Sequence, residues 1–230
     1  MIEQYKQQAA ERALEFVSSG MIVGLGTGST AIYATRRLGH LLRDGLLHDI
    51  VAVPTSAATA VAAQQLRIPL LANDLAREID ITIDGADEVS PELDLIKGGG
   101  GAMLREKIVA QASHRHITVV DDSKLSPTLG ARRAVPVEVV RFGWRRQAEY
   151  LHGLGAEVTL RMLPGGASFV TDQGNLVLDC RFGPIADPAG LATRIRARAG
   201  VAEHGLFVGL TSDVIVAGAD GLRHLVAPGS

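Results

Sequence analysis

Residues 21–43 read MIVGLGTGSTAIYATRRLGHLLR, and their order of apolar run, glycine-rich turn and amphipathic segment decides the fold. Met21 to Leu25 is a short, nearly unbroken apolar stretch, the pattern of a strand buried on both faces. Gly26 and Gly28 interrupt it, and from Ala31 to Arg43 the side chains of Ile32, Leu38, Leu41 and Leu42 recur at helical spacing. A buried strand that turns directly into a helix is half of a strand–helix–strand unit, so the rest of the chain decides how often the unit repeats.

It repeats on both sides. Residues 3 to 19 place Ala9, Ala13, Phe16 and Val17 on one helical face and stop at Gly20. Ile50 to Val53 predicts a strand, after which Thr55 or Ser56 can cap an alanine-rich helix ending near Leu66. Ile79 to Ile83 predicts a strand, a glycine run at 98–101 precedes a helix reaching about Ser113, and Ile117 to Val120 predicts another strand. Such alternation implies parallel strands joined by crossover helices, an α/β fold with an open, mostly parallel sheet. From Ala131 the pattern changes: a strand at Val135–Val140, a helix around Trp144–Leu151, a strand at Val158–Met162, then two runs either side of Asp172-Gln173-Gly174-Asn175. This predicts a smaller α+β domain over residues 131–205. Leu206–Leu210 and Val214–Val216 are expected to rejoin the first sheet, leaving 1–130 and 206–230 as the α/β catalytic domain and the small domain as an insertion near the C-terminus.

The chain has 230 residues, 23 basic against 25 acidic, and a formal charge of -2, so no strong net field favours nucleic acid as a partner. With 47% apolar and 21% charged residues it can bury roughly 70 to 75% of its unfolded surface, which excludes disorder as a class. No apolar run approaches the ~18 residues of a membrane span, and the polar start Met1–Gln8 is unlike a signal peptide. A single cysteine, Cys180, cannot form an internal disulfide; these features together predict a cytoplasmic protein. Nineteen of the basic residues are Arg and only four are Lys, namely Lys6, Lys97, Lys107 and Lys124, so the lysines are worth following.

Four stretches carry chemistry. In Gly24-Leu25-Gly26-Thr27-Gly28-Ser29-Thr30 the glycines let backbone approach a ligand, while the hydroxyls and the amides of the next helix can donate to an anion. A dinucleotide fingerprint would need glycine at position 29, which is serine, and a P-loop needs a Gly-Lys pair that the chain lacks; a phosphate smaller than a nucleotide fits better. Asp84-Gly85-Ala86-Asp87-Glu88 follows a predicted strand, at the end where parallel sheets bind ligands, and its two aspartates can hold sugar hydroxyls or move their protons. Lys97-Gly98-Gly99-Gly100-Gly101 offers amides and an ammonium for an oxyanion, and Glu106 a few residues on is a carboxylate that a dry cleft can use as a base. Asp121-Asp122-Ser123-Lys124 follows another strand, so Lys124 can meet a phosphate as a point charge. Each stretch taken alone also suits a plain turn or loop. The histidines form no ligand set, so neither metal nor cofactor is expected.

Taken together the stretches resemble the A-type ribose-5-phosphate isomerase family. The resemblance lies in Gly26–Thr30, Asp84–Glu88, Lys97–Gly100, Arg105-Glu106-Lys107 and Asp122–Lys124, in family order and spacing, and extends to Pro136–Val139, Gly174-Asn175 and Gly205-Leu206-Phe207. It implies cofactor-free interconversion of D-ribose 5-phosphate and D-ribulose 5-phosphate through an enediol, in the pentose phosphate pathway, by a homodimer. The catalytic group it implies is Glu106 as base with Asp84, Asp87 and Lys97 around the sugar oxygens. The implied substrate contacts are Thr27, Gly28, Ser29, Thr30, Asp84, Gly85, Ala86, Asp87, Lys97, Gly98, Gly99, Gly100 and Lys124. Val201-Ala202-Glu203 departs from the family, which more often has a second valine, a matter of packing. The alternative of another class is a non-catalytic sugar-phosphate sensor domain. Such a regulator carries a helix-turn-helix ahead of the sensor, and only about 20 residues precede the first strand here.

Overall fold

The computed structural model describes residues 1–71 and 77–227. In chain order the elements are α1 (Ile2–Leu14), β1 (Ile22–Leu25), α2 (Ala31–Arg43), β2 (Val51–Pro54), α3 (Ala57–Gln65), β3 (Ile79–Gly85), β4 (Glu88–Val89), β5 (Leu95–Ile96), α4 (Met103–Gln111) and β6 (Ser113–Asp121). There follow β7 (Val135–Val139), α5 (Trp144–Gly153), β8 (Glu157–Leu160), β9 (Leu176–Arg181), α6 (Pro188–Arg196), β10 (Val201–His204), β11 (Leu206–Phe207), β12 (Asp213–Gly218) and β13 (Gly221–Val226). Compactness divides the described chain into two units, one of Met1–Ala86, Arg105–Lys124 and Leu210–Ser230, the other of Asp87–Leu104 and Leu125–Gly209.

The first unit holds a six-stranded sheet in the order β13-β12-β6-β3-β1-β2. Five strands are parallel, and β13 alone runs antiparallel, as a hairpin on β12. The central strands are buried on both faces: α1 and α2 bring Ala9, Ala13, Ala34 and Leu38 against Val23, Leu25, Ile81, Ile83, Ile117 and Val119, while Ile22, Val53, Ile79 and Val109 form a separate cluster. Of the two candidate caps for α3, Ser56 does the work, its Oγ accepting from the Thr59 amide at 3.0 Å. α1 stops at Leu14, short of the expected residue 19. Phe16 and Val17 continue only as turns, their amides donating to the carbonyls of Ala13 and Leu14.

Phe16 is thereby set against a charged clamp. Asp213, 3% exposed at the start of β12, accepts Nε and Nη2 of Arg115 at 2.7 and 2.9 Å and Nε2 of His224 at 2.6 Å, tying β6, β12 and β13 together. The Arg115 guanidinium lies 4.2 Å from the Phe16 ring centroid, and the His224 ring is 5.4 Å away. Burial pushes the Asp213 carboxyl up, but the hydrogen bonds from Arg115 and His224 outweigh it and hold the group below its ordinary value. A carboxyl depressed in the native state stabilises the fold fully above its unfolded value of about 3.9, and the contribution is lost as pH falls through the native value. Asp213→Asn is therefore expected to cost about 1.5–3 kcal/mol at neutral pH, a drop of roughly 3–12 °C in melting temperature, with the gap from wild type closing toward pH 2. Thermal melts from pH 7 to 2 check this; an equal gap at every pH would contradict it.

The second unit holds a four-stranded antiparallel sheet, β10-β7-β9-β8. Its core joins Val135, Val137, Val139, Leu178 and Cys180 from the strands to Leu151 of α5 and to Leu191 and Ile195 of α6. The turn at Asp172–Asn175 forms as expected, the Thr171 amide donating to the Asn175 carbonyl at 3.0 Å. Leu206–Phe207 does not rejoin the first sheet; it pairs as β11 with β5, which pairs with β4, in a separate three-stranded sheet. Val214–Val216 does join the first sheet, within β12. β4 and β5 pair with each other, β5 pairs with β11 and Val89 of β4 bridges to Leu125, and Asp87–Leu104 belongs to the second compact unit.

Candidate active site

In the first unit, β2 and β3 flank β1 on opposite sides, so the strand order reverses at the β1/β3 pair, where open parallel sheets bind ligands beyond the carboxyl ends. β1 ends there in the Gly26–Thr30 loop and β3 in Asp84 and Gly85. The two are joined directly: the Gly26 amide donates to the Ile83 carbonyl at 2.9 Å and the Thr27 amide to Asp84 Oδ1 at 3.2 Å. Asp84 is 1% exposed, and a side chain at position 26 would occupy the space of its carboxylate, which is why that position is glycine. Thr27 Oγ1 meets the hydroxyls of Thr55 (2.7 Å), Ser56 (2.8 Å) and Thr59 (3.1 Å), and Thr59 Oγ1 also donates to the Gly26 carbonyl at 3.2 Å. One donor and two acceptor positions are all that a hydroxyl has, so the Thr27 side chain is occupied in holding the loop. Gly28 and Ser29 are exposed, Thr30 is buried, and the amides opening α2 begin at the same place. The first amides of a helix lack intrahelical partners and carry partial positive charge, which suits a phosphate.

Two further candidates belong to this unit. Lys124 closes a single 3₁₀ turn after β6, the strand next to β3, so its loop shares an edge with the other two. Beside it Asp121 Oδ1 accepts the Ser123 amide at 3.1 Å and also its hydroxyl. Glu106 stands in the first turn of α4 and is 4% exposed, a carboxylate withdrawn from bulk water.

The second unit carries Asp87, Lys97 and the glycine loop. The Asp87 amide donates to the Ile96 carbonyl at 2.8 Å, and its Oδ2 accepts the Gly99 amide at 2.7 Å. Lys97 follows β5, is 2% exposed, and holds its ammonium 5.5 Å from the Phe207 ring centroid. A buried ammonium over an aromatic face is stabilised by the ring's negative face. Gly98 and Gly101 are buried and joined by an amide–carbonyl bond of 2.9 Å, whereas Gly99 and Gly100 are exposed. Glu88, the last residue of the acidic motif, is wholly buried and accepts the amides of Gly130 (3.3 Å), Arg132 (3.3 Å) and Arg133 (2.9 Å), a structural duty. Sequence reasoning missed Phe207, although Gly205-Leu206-Phe207 carried part of the resemblance, and assigned Thr55 and Ser56 to capping without seeing that they brace Thr27. Thr59 carried no signal beyond its place one turn after Ser56.

A doubly wound sheet whose switch point carries an anion-type loop bonded to a buried carboxylate defines the class: an α/β protein whose strand ends suit a small phosphorylated molecule. The chain belongs to the family described as ribose 5-phosphate isomerase A (phosphoriboisomerase A), whose profile matches residues 51–221. A relative named ribose-5-phosphate isomerase A from Chloroflexus aurantiacus is 56% identical over 223 residues, covering 97% of this chain and 93% of its own. Another of that name, from Desulfatibacillum aliphaticivorans, is 52% identical over 96% of both chains. Among solved structures, a D-ribose-5-phosphate isomerase in complex with phospho-erythronic acid superposes with a TM-score of 0.96 at 38% identity, covering 98% of this chain and 99% of its own. The Plasmodium falciparum enzyme gives 0.95 at 40% identity, covering 99% and 100%.

Proposed function

We infer that the chain interconverts D-ribose 5-phosphate and D-ribulose 5-phosphate through an enediol intermediate, a step of the pentose phosphate pathway. Membership of essentially the whole chain in the isomerase family carries this reading and disfavours a sugar-phosphate sensor. The reaction takes a proton from C2 of the open-chain aldose, places negative charge on O1, moves a proton from O2 to O1, and returns a proton to C1 as O2 becomes the ketone. Glu106 is the base at C2 and C1. Asp84 and Asp87 engage sugar hydroxyls and assist ring opening. Lys97 and the amides of Gly98 and Gly100 face the developing oxyanion charge, while the Gly99 amide is held by Asp87 Oδ2 and fixes the shape of the loop. Gly28, Ser29, Thr30 and Lys124 take the phosphate, Thr27 anchors their loop through its hydroxyl, and Gly85 and Ala86 contribute backbone to the substrate.

Proton transfer assisted by an ammonium and amides needs no Lewis acid, and among the described residues no three His, Cys, Asp or Glu are grouped to hold a metal ion. Ketose formation from ribose 5-phosphate is expected to proceed at the same rate before and after exhaustive chelation. Absence of conversion would refute the activity; loss on chelation, restored by one divalent ion, would refute the metal-free route. Among the described residues no helix is long and apolar enough to cross a membrane. The family resemblance supports a homodimer, and the single cysteine, Cys180, which cannot form an internal disulfide, suits a reducing compartment such as the cytoplasm.

A further inference from the structure

The four-glycine loop has no side chains with which to hold itself, yet its amides must stand ready before substrate arrives. Glycine has the most backbone freedom to lose on ordering, so a loop of four depends on outside anchors. Within the second unit Asp87 supplies one anchor, at the Gly99 amide. Arg161, the residue after β8, supplies the other: its Nη1 donates to the carbonyls of Gly98 at 2.9 Å and Gly99 at 3.1 Å. Arg161 is itself fixed on its other side, where Nε and Nη2 donate to the two carboxylate oxygens of Asp179 at 3.0 and 2.5 Å. Its backbone is held as well, the Arg161 amide donating to the Val177 carbonyl and the Phe169 amide to the Arg161 carbonyl, both at 2.9 Å. The guanidinium lies 5.5 Å from the centroid of Phe169, and a side chain at Gly101 would collide with that ring. Arg161 and Phe169 thus bear on the two ends of one loop.

The grip has a directional consequence. A trans peptide is planar, and its carbonyl and the next residue's N–H point in opposite directions. Fixing the Gly99 carbonyl on Arg161 therefore fixes the Gly100 N–H, pointing away from Arg161, in an exposed glycine. We propose that Arg161 is a positioning residue for the isomerisation: held by Asp179, it orients the Gly100 N–H of the glycine loop to receive the enediolate charge. The proposal rests on the reading of that loop as the oxyanion holder. A lysine cannot replace this grip, since a single ammonium lacks the planar fork that reaches a carboxylate and two carbonyls together.

The test uses Arg161→Lys and Asp179→Asn in the full chain, with kcat, KM and inhibition by two phosphates. One inhibitor is phospho-erythronic acid, which carries a carboxylate charge near the place of the enediolate charge; the other is ribitol 5-phosphate, whose corresponding end is an uncharged alcohol. Wild type is expected to favour the acid by tenfold or more. Arg161→Lys is expected to lose about tenfold in kcat, since even small misplacement of preorganised groups is costly, with KM within about threefold. The acid should weaken in step with kcat while the polyol stays as in wild type, and Asp179→Asn should follow to a lesser extent. KM and the ratio of the two inhibition constants do not depend on how much of the protein is folded, so partial unfolding cannot mimic this pattern. If wild type itself fails to favour the acid, the oxyanion reading of the loop falls and the role of Arg161 with it. If wild type favours the acid and Arg161→Lys keeps both that preference and kcat, or loses affinity for acid and polyol alike, the proposal for Arg161 alone falls.

Discussion

Glu106→Gln is expected to reduce turnover by about 10² to 10⁴, the contribution typical of a positioned acid or base, while KM changes by tenfold or less. The substitution keeps the shape of a side chain that is only 4% exposed and removes the oxygen proposed to accept the proton. One base suffices because the two carbons that exchange the proton are neighbours. The aspartates are less suited to reach both. Asp84 Oδ1 already accepts the amides of Thr27 and Gly85, at 3.2 and 2.7 Å, and Asp87 Oδ2 that of Gly99. A second measurement isolates the step: the variant should no longer exchange the substrate C2 proton with heavy water. Near-normal turnover or exchange would move the base to Asp84 or Asp87.

Lys124→Ala is expected to weaken binding of ribose 5-phosphate roughly 10- to 150-fold, the loss of a charge-assisted contact of about 1.5–3 kcal/mol. Lys124 lies at the carboxyl edge of the parallel sheet, half-buried in a three-residue turn after β6 and outside the regular elements. Binding should fall while the protein melts as before. Titration of the variant with ribose 5-phosphate and with inorganic phosphate measures both sides of the argument, and wild-type affinity for both would place the anchor on another residue.

The parts of this fold that could be read from the chain are those in which a hydrophobic period changes over a few residues. Met21–Leu25 followed by Ala31–Arg43 shows such a change, and β1 and α2 lie there. Strands of two residues have no period to show, so β4 and β5 could not be read, and Leu206–Phe207 was assigned to the wrong sheet for the same reason. β13 escaped because its residues are mostly exposed on both faces, giving no buried alternation. The overlong reading of α1 came from Phe16 and Val17, which are apolar because they pack, Phe16 beneath Arg115, and not because the helix continues. Within the site, residues marked by glycine or charge were legible, whereas their supports were not. Arg161 grips backbone carbonyls 62 and 63 residues away, and one arginine among nineteen carries no sign of such a contact.

The cluster of four hydroxyls formed by Thr27 and its three neighbours sets the Gly26–Thr30 loop apart from the other anchored segments. Arg161 and Glu88 hold their loops with charge, but Thr27, Thr55, Ser56 and Thr59 do so with groups that neither ionise at ordinary pH nor attract counterions. Ionic strength and acidity, which screen or titrate charged contacts, leave this fastening as it is. Another tie of the loop, the Thr27 amide on Asp84 Oδ1, runs to a carboxylate, so it is the hydroxyl part of the fastening that is uncharged. Any dependence of phosphate affinity on salt is then expected to come from charged groups, Lys124 and the phosphate among them, and not from these hydroxyls.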